Sequence, residues 1–216
     1  MRFIPSLFIL SAALLFAAPA LATPPGVVGQ RNFQRGLRAE WANKDAARAK
    51  EYYTTAAKAF RELMEENRKD GTSTRTSRLV MAGICQFKAG MYADAAATMQ
   101  VAGAMDAHIW EAWLYGGLAK AMQDDAEGAL NMWKRFPQNA FQRKLNPVIG
   151  AQVAALEAGE TTPRDAAEAV LKAEAEQFRW NYYSPGGRNN LAPPDQCDGR
   201  FWWRYFFEPC ELNALD

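Results

Sequence analysis

His108 is the only histidine of the chain, and it follows Asp106 at an expected helix start, where a solvated first-turn residue is the ordinary reading. With one imidazole and no paired-cysteine motif, the sequence offers no ordinary zinc site, no haem attachment and no His-dependent triad. The tightest carboxylate pairs are Asp124-Asp125 and Glu65-Glu66. Adjacent helical residues diverge by about 100°, so neither pair converges on one reacting bond; they read as a turn and a solvated face. There is no calcium loop, phosphate-cradling glycine motif or nucleophile elbow. We expect a chain that is not an enzyme, with no cofactor and no metal.

The remaining chemistry lies in cysteines and rings. Cys197 and Cys210 enclose Phe201, Trp202, Trp203, Tyr205, Phe206 and Phe207 in a Pro/Gly-rich segment, whereas Cys85 sits in an apolar helical run and reads as a small buried residue. A bridge between Cys197 and Cys210 is the expected pairing of the three cysteines, and a bridge from Cys85 to one of them is the rival. In an extended segment alternate residues face opposite sides. Phe201, Trp203, Tyr205 and Phe207 then share one face, and Trp202, Arg204 and Phe206 the other.

The elements that must position these residues begin after a leader. Residues 1–22 combine Arg2, an apolar stretch from Leu7 to Leu21 and a small-residue box ending at Ala22. This is the pattern of a secretory signal peptide cleaved after Ala22, too short to span a bilayer, and it predicts a periplasmic or secreted protein. Loss of Arg2 makes a chain of net charge +1 formally neutral. A neutral chain argues against nucleic acid, whose phosphates demand a basic face, and against electrostatic adhesion to a membrane.

From Gln30 to about Trp180 apolar residues recur at helical spacing with scarcely a strand signal. Breakers at Asn43-Lys44-Asp45, Asp70-Gly71, Ala89-Gly90, Asp106, Asp124-Asp125, Phe136-Pro137, Asn146-Pro147 and Gly159 to Pro163 divide the region into eight helices in four hairpins. A shift of 34 residues superposes Leu79 on Trp113, Val80 on Leu114, Gly83 on Gly117, Ile84 on Leu118, Ala95 on Ala129 and Met99 on Trp133. Small falls on small and large on large, as stacked hairpins require. On these residues, together with Gly90, Tyr92, Ala102 and Phe136, the stretch Leu79 to Phe136 resembles the tetratricopeptide repeat family. Looser units flank it: Phe33, Gly36, Ala39, Ala49, Tyr53 and Ala56 before, Gly150 and Ala166-Ala167 after. The aromatic late in the first helix is displaced to Phe87 in one unit and is Ala121 in the next.

The resemblance implies an all-α array over residues 23–180, followed by an irregular tail over 181–216, with the first helices of successive hairpins lining a face that holds a peptide or protein. Val80, Ile84, Phe87 and Lys88 stand at the matching positions of one unit, and Leu114, Leu118 and Met122 at those of the next. An apolar face of that size is rarely left to water, so a cover is expected, either the aromatic tail or a partner. We expect a binding scaffold or a subunit of an envelope assembly. The partner-binding residues are then Val80, Ile84, Phe87, Leu114, Leu118 and Met122 on the face and Trp202, Trp203, Arg204 and Tyr205 in the tail, with self-association as a variant. The alternative is a cell-wall or polysaccharide binder that stacks sugars on the tail rings.

Overall fold

Helix boundaries follow from local chemistry in this computed structural model, which describes residues 23–137 and 142–183. The first helix, α1 (Pro25–Leu37), begins at a proline, where Thr23-Pro24-Pro25-Gly26 reads in sequence as hostile to helix. The reason is positional: the first helical residue has no intrahelical partner for its N–H, and the proline ring presets the required φ. After α1 the chain runs through a five-residue π-helical turn, Arg38–Ala42, in which the Asn43 N–H donates to the Arg38 carbonyl at 3.1 Å. Next come α2 (Ala46–Lys69) and α3 (Thr76–Ala89), then α4 (Tyr92–Met105) and α5 (Trp110–Ala121). They are followed by α6 (Ala126–Trp133), α7 (Leu145–Glu157) and α8 (Pro163–Tyr183). The described residues are all helix and connection, with no strand among them.

Two of the stops show how the hairpins turn. α3 ends at Gly90 with φ of 86°, a left-handed residue that lets the Met91 N–H reach back to the Gln86 carbonyl at 2.8 Å. Thirty-four residues on, Asp124 adopts φ of 60° in the same kind of turn, a conformation that short polar residues tolerate better than others. The starts of α2 and α6 are capped by Asp45 and Asp125, whose carboxylates accept from the N–H groups of Arg48 (3.0 Å) and Gly128 (2.8 Å).

Each helix packs on the next along the chain, and α1, α3 and α5 also touch in succession. Glycines set these approaches. A Cβ on Gly83 would stand 2.7 Å from the Met99 Cε, one on Gly36 2.6 Å from the Tyr53 ring, and one on Gly117 would overlap the Trp133 indole. The residues related by the 34-residue shift are buried alike: Val80 with Leu114, Ile84 with Leu118, Ala95 with Ala129, Met99 with Trp133. The core continues through Phe33, Tyr53 and Phe60 on one side and Leu145 and Ile149 on the other.

The last hairpin departs from this order. It is α8, the second helix of the pair, that lies along α5. Ala166 and Ala167 are buried there, but Gly150 on α7 is exposed and a Cβ on it would meet nothing within 4 Å. Gly150 is therefore not a close-approach position, because the helix that carries it is not the one seated in the row.

Candidate functional site

The concentration of polar groups in the described interior lies where α8 meets α3 and α5. The π-turn after α1 places Glu40 there. Its Oε2 accepts from the Tyr53 hydroxyl of α2 at 2.7 Å and its Oε1 from the Lys88 ammonium of α3 at 2.8 Å. Lys88 Nζ also stands 3.7 Å from Glu174 Oε2 on α8. The second oxygen of Glu174 accepts a short hydrogen bond from the Tyr115 hydroxyl of α5. Tyr53, Glu40, Lys88, Glu174 and Tyr115 thus form one unbroken chain of contacts across four helices and a turn. Such inserted turns recur where a side chain must be re-aimed.

Rings line the cluster. Trp41, next to Glu40 on the π-turn, stacks on Phe178 of α8 with centroids 4.2 Å apart, and Lys88 Nζ lies 5.9 Å from the Trp41 ring. Phe87 meets Tyr115 edge-on at 5.6 Å. A cation near an aromatic face in a poorly hydrated site is favoured by the ring quadrupole.

Electrostatics decide what this arrangement can do. Burial pushes the Glu174 carboxyl above the ordinary carboxylate range, against the pull of Lys88. Burial alone would depress the Lys88 ammonium, but Glu174 and Glu40 together outweigh it and hold its pKa above the usual lysine value. Burial and nearby carboxylates likewise raise the phenols of Tyr53 and Tyr115. A lysine that stays charged is no nucleophile, and phenols held protonated are no bases. The geometry is that of a device that holds elements together. Among the described residues no group of three or more His, Cys, Asp and Glu side chains could hold a metal ion.

The residues singled out from sequence fall as follows. Val80, Ile84, Leu114 and Leu118 are fully buried, Phe87 is 6 % exposed and Met122 is partly buried at the end of α5. Trp202, Trp203, Arg204, Tyr205, Cys197, Cys210 and the leader 1–22 lie outside the described residues. Cys85 is a buried free thiol whose pKa burial drives up. The backbone N–H of His108 donates to the Asp106 carboxylate in an exposed turn before α5. Asp125 caps α6, and Asp124 pairs through both oxygens with Arg164 of α8 at 2.9 Å.

Sequence reasoning places Lys88 on the face and Tyr53 in its hairpin but joins neither to a cluster. It misses Glu40, Trp41, Tyr115, Glu174 and Phe178. One signal is present for Glu174: the apolar stripe Ala166, Val170, Ala173 and Ala167 recurs at helical spacing, and Glu174 falls on it. Comparison with family models, curated proteins and solved structures gave no match to this chain.

Proposed function

We propose that this chain is an exported helical-repeat scaffold of the tetratricopeptide type, acting by binding rather than by catalysis, as an adaptor or as a subunit of a cell-envelope assembly. The observation that carries the reading is the recurrence, at 34 residues, of one packing unit: Gly83 against Met99 and Gly117 against Trp133, each hairpin turned by a left-handed residue, Gly90 or Asp124. Repeated hairpins joined this way favour rigid surfaces of defined register. The leader-like residues 1–22 and the cysteine pair 197 and 210 support an oxidising, extracytoplasmic location. No helix among the described residues is long and apolar enough to cross a membrane.

On this reading a partner is recognised by buried area and register on the outer surfaces of the helical array and by the aromatic tail, with little electrostatic steering. The test is isolation of the native protein from the envelope fraction after chemical crosslinking. A stoichiometric protein partner, crosslinked through the helical array or the tail, is the expected result. Binding to purified wall polysaccharide in a sedimentation assay, with no protein crosslink, would replace it with the glycan reading.

A further inference from the structure

Helix α8 closes on its neighbours with little apolar bulk. Its fully buried apolar residues are only Ala166, Ala167, Val170 and Ala173, beside the polar Glu174 and Gln177, and its larger apolar side chains, Leu171 and Phe178, are only partly buried. The helix it packs on, α5, is of another kind, with Trp113, Leu114, Tyr115 and Leu118 all buried. Small side chains remove little area from water, so the hydrophobic hold on α8 is weak beside that on α3 or α5.

The polar network divides unequally at the same boundary. If α8 is lifted away, Glu40 keeps both its donors, Tyr53 at 2.7 Å and Lys88 at 2.8 Å. Lys88 keeps a carboxylate at hydrogen-bond distance and loses only the longer contact of 3.7 Å. Glu174 and the Tyr115 hydroxyl lose each other, and both then meet water. The array side is satisfied with or without its cover, and a buried polar junction becomes costly to open only when groups are left unpaired and dry.

We propose that α8 is a strap latched through Glu174, which undocks from α3 and α5 while the Tyr53–Glu40–Lys88 half of the network stays closed behind it. Lys88 is the keeper of the latch: it stands between two carboxylates, and without it Glu40 and Glu174 would repel across the junction. The groups facing Glu174 are Glu40 of the π-turn, Tyr53 of α2, Lys88 of α3 and Tyr115 of α5. The exposed fork between Arg164 and Asp124 ties the first turn of α8 to the α5–α6 turn, and undocking of the other half must also break the Gln177 bond to the Lys144 N–H and the stack of Phe178 on Trp41. The inference holds whether or not the scaffold reading does, because it concerns one helix and its own chain.

Amide hydrogen exchange on the full chain under native conditions tests it. A lone helix of this length is marginal in water, so undocking exposes its amides. In the wild type, α8 should exchange through an opening cheaper than that of α3 and α5 at low urea. Lys88→Met should lower protection of α8 by about tenfold or more, the equivalent of one pKa unit of lost pairing, and lower that of α3, which loses its Lys88–Glu40 bond, by less. Adding Glu174→Gln to Lys88→Met should restore it, as should acidification of the single variant. Exchange of α8 in step with α3 and α5 in the wild type would overturn the proposal. So would a Lys88→Met effect that is spread over all helices, or one that is reversed neither by the second substitution, Glu174→Gln, nor by acid.

Discussion

Gly83 lies against the thioether of Met99 with no room for a Cβ, and the same relationship recurs 34 residues on between Gly117 and the indole of Trp133. Each pair fixes the distance between the two helices within its own hairpin, α3 to α4 and α5 to α6, and the Trp133 N–H donates to the Leu114 carbonyl at 3.3 Å as it crosses α5. Close approach of this kind has direct energetic consequences.

Gly117→Ala should destabilise the fold by about 1–3 kcal/mol, because the added methyl must displace a large, fully buried ring. Gly150→Ala is the control. Its Cβ meets nothing and its helix is α7, so removal of a flexible residue should stabilise by up to about 1 kcal/mol. Urea denaturation of both variants measures the contrast.

The latch predicts a pH dependence of stability. Glu174 has a folded pKa above its unfolded value of about 4.5, so the folded state holds the proton more tightly. Its contribution to stability therefore rises as pH falls through the folded pKa and levels off below the unfolded one. Glu174→Gln resembles the protonated group at every pH. The stability advantage of the variant over wild type should be largest near neutrality and shrink on acidification, as read from urea midpoints between about pH 4 and 8.

Asp125 should act in the opposite sense. The Gly128 N–H and the Lys120 ammonium hold its carboxyl below the ordinary value. The stability this gives is present above the unfolded pKa of about 3.8 and is lost as pH falls through the folded one. Asp125→Ala should cost about 1 kcal/mol through the lost cap, whereas Asp125→Asn should retain most of it. Thermal melts at neutral pH distinguish the two.

Cys85 is sealed in α3, and burial keeps its thiol protonated. Under native conditions it should resist iodoacetamide, because the thiolate is the reactive form. Its labelling should follow the global unfolding curve, and mass spectrometry of urea-titrated samples gives the comparison. Labelling well below that transition would show local opening of α3.

The middle hairpins are legible in the sequence because their packing is written in residue size. Gly83, Gly117, Ala95 and Ala129 are small where helices approach, and Met99 and Trp133 are large where they fill. Helix ends are legible where a left-handed glycine or an aspartate cap enforces them. The Lys88 cluster is not, for two physical reasons. An inserted π-turn shifts the helical phase, so the direction taken by Glu40 and Trp41 does not follow from counting along α1. The alanine stripe of α8 fits many neighbours, and nothing local says that α8 should take the place beside α5. The sequence points to the tail or a partner as the cover over Val80, Ile84, Leu114 and Leu118; the structure shows these four fully buried, and it brings α8 against the neighbouring Tyr115 through Glu174.

The self-sufficiency of the Tyr53, Glu40 and Lys88 contacts bears on the order of events during biosynthesis. A chain leaves the ribosome N-terminus first, and α1, α2 and α3 can pack with their charges already neutralised while Glu174 is still tens of codons from being translated. The nascent hairpins have no stranded ion awaiting a distant counterpart, and α8 can arrive last upon a finished surface.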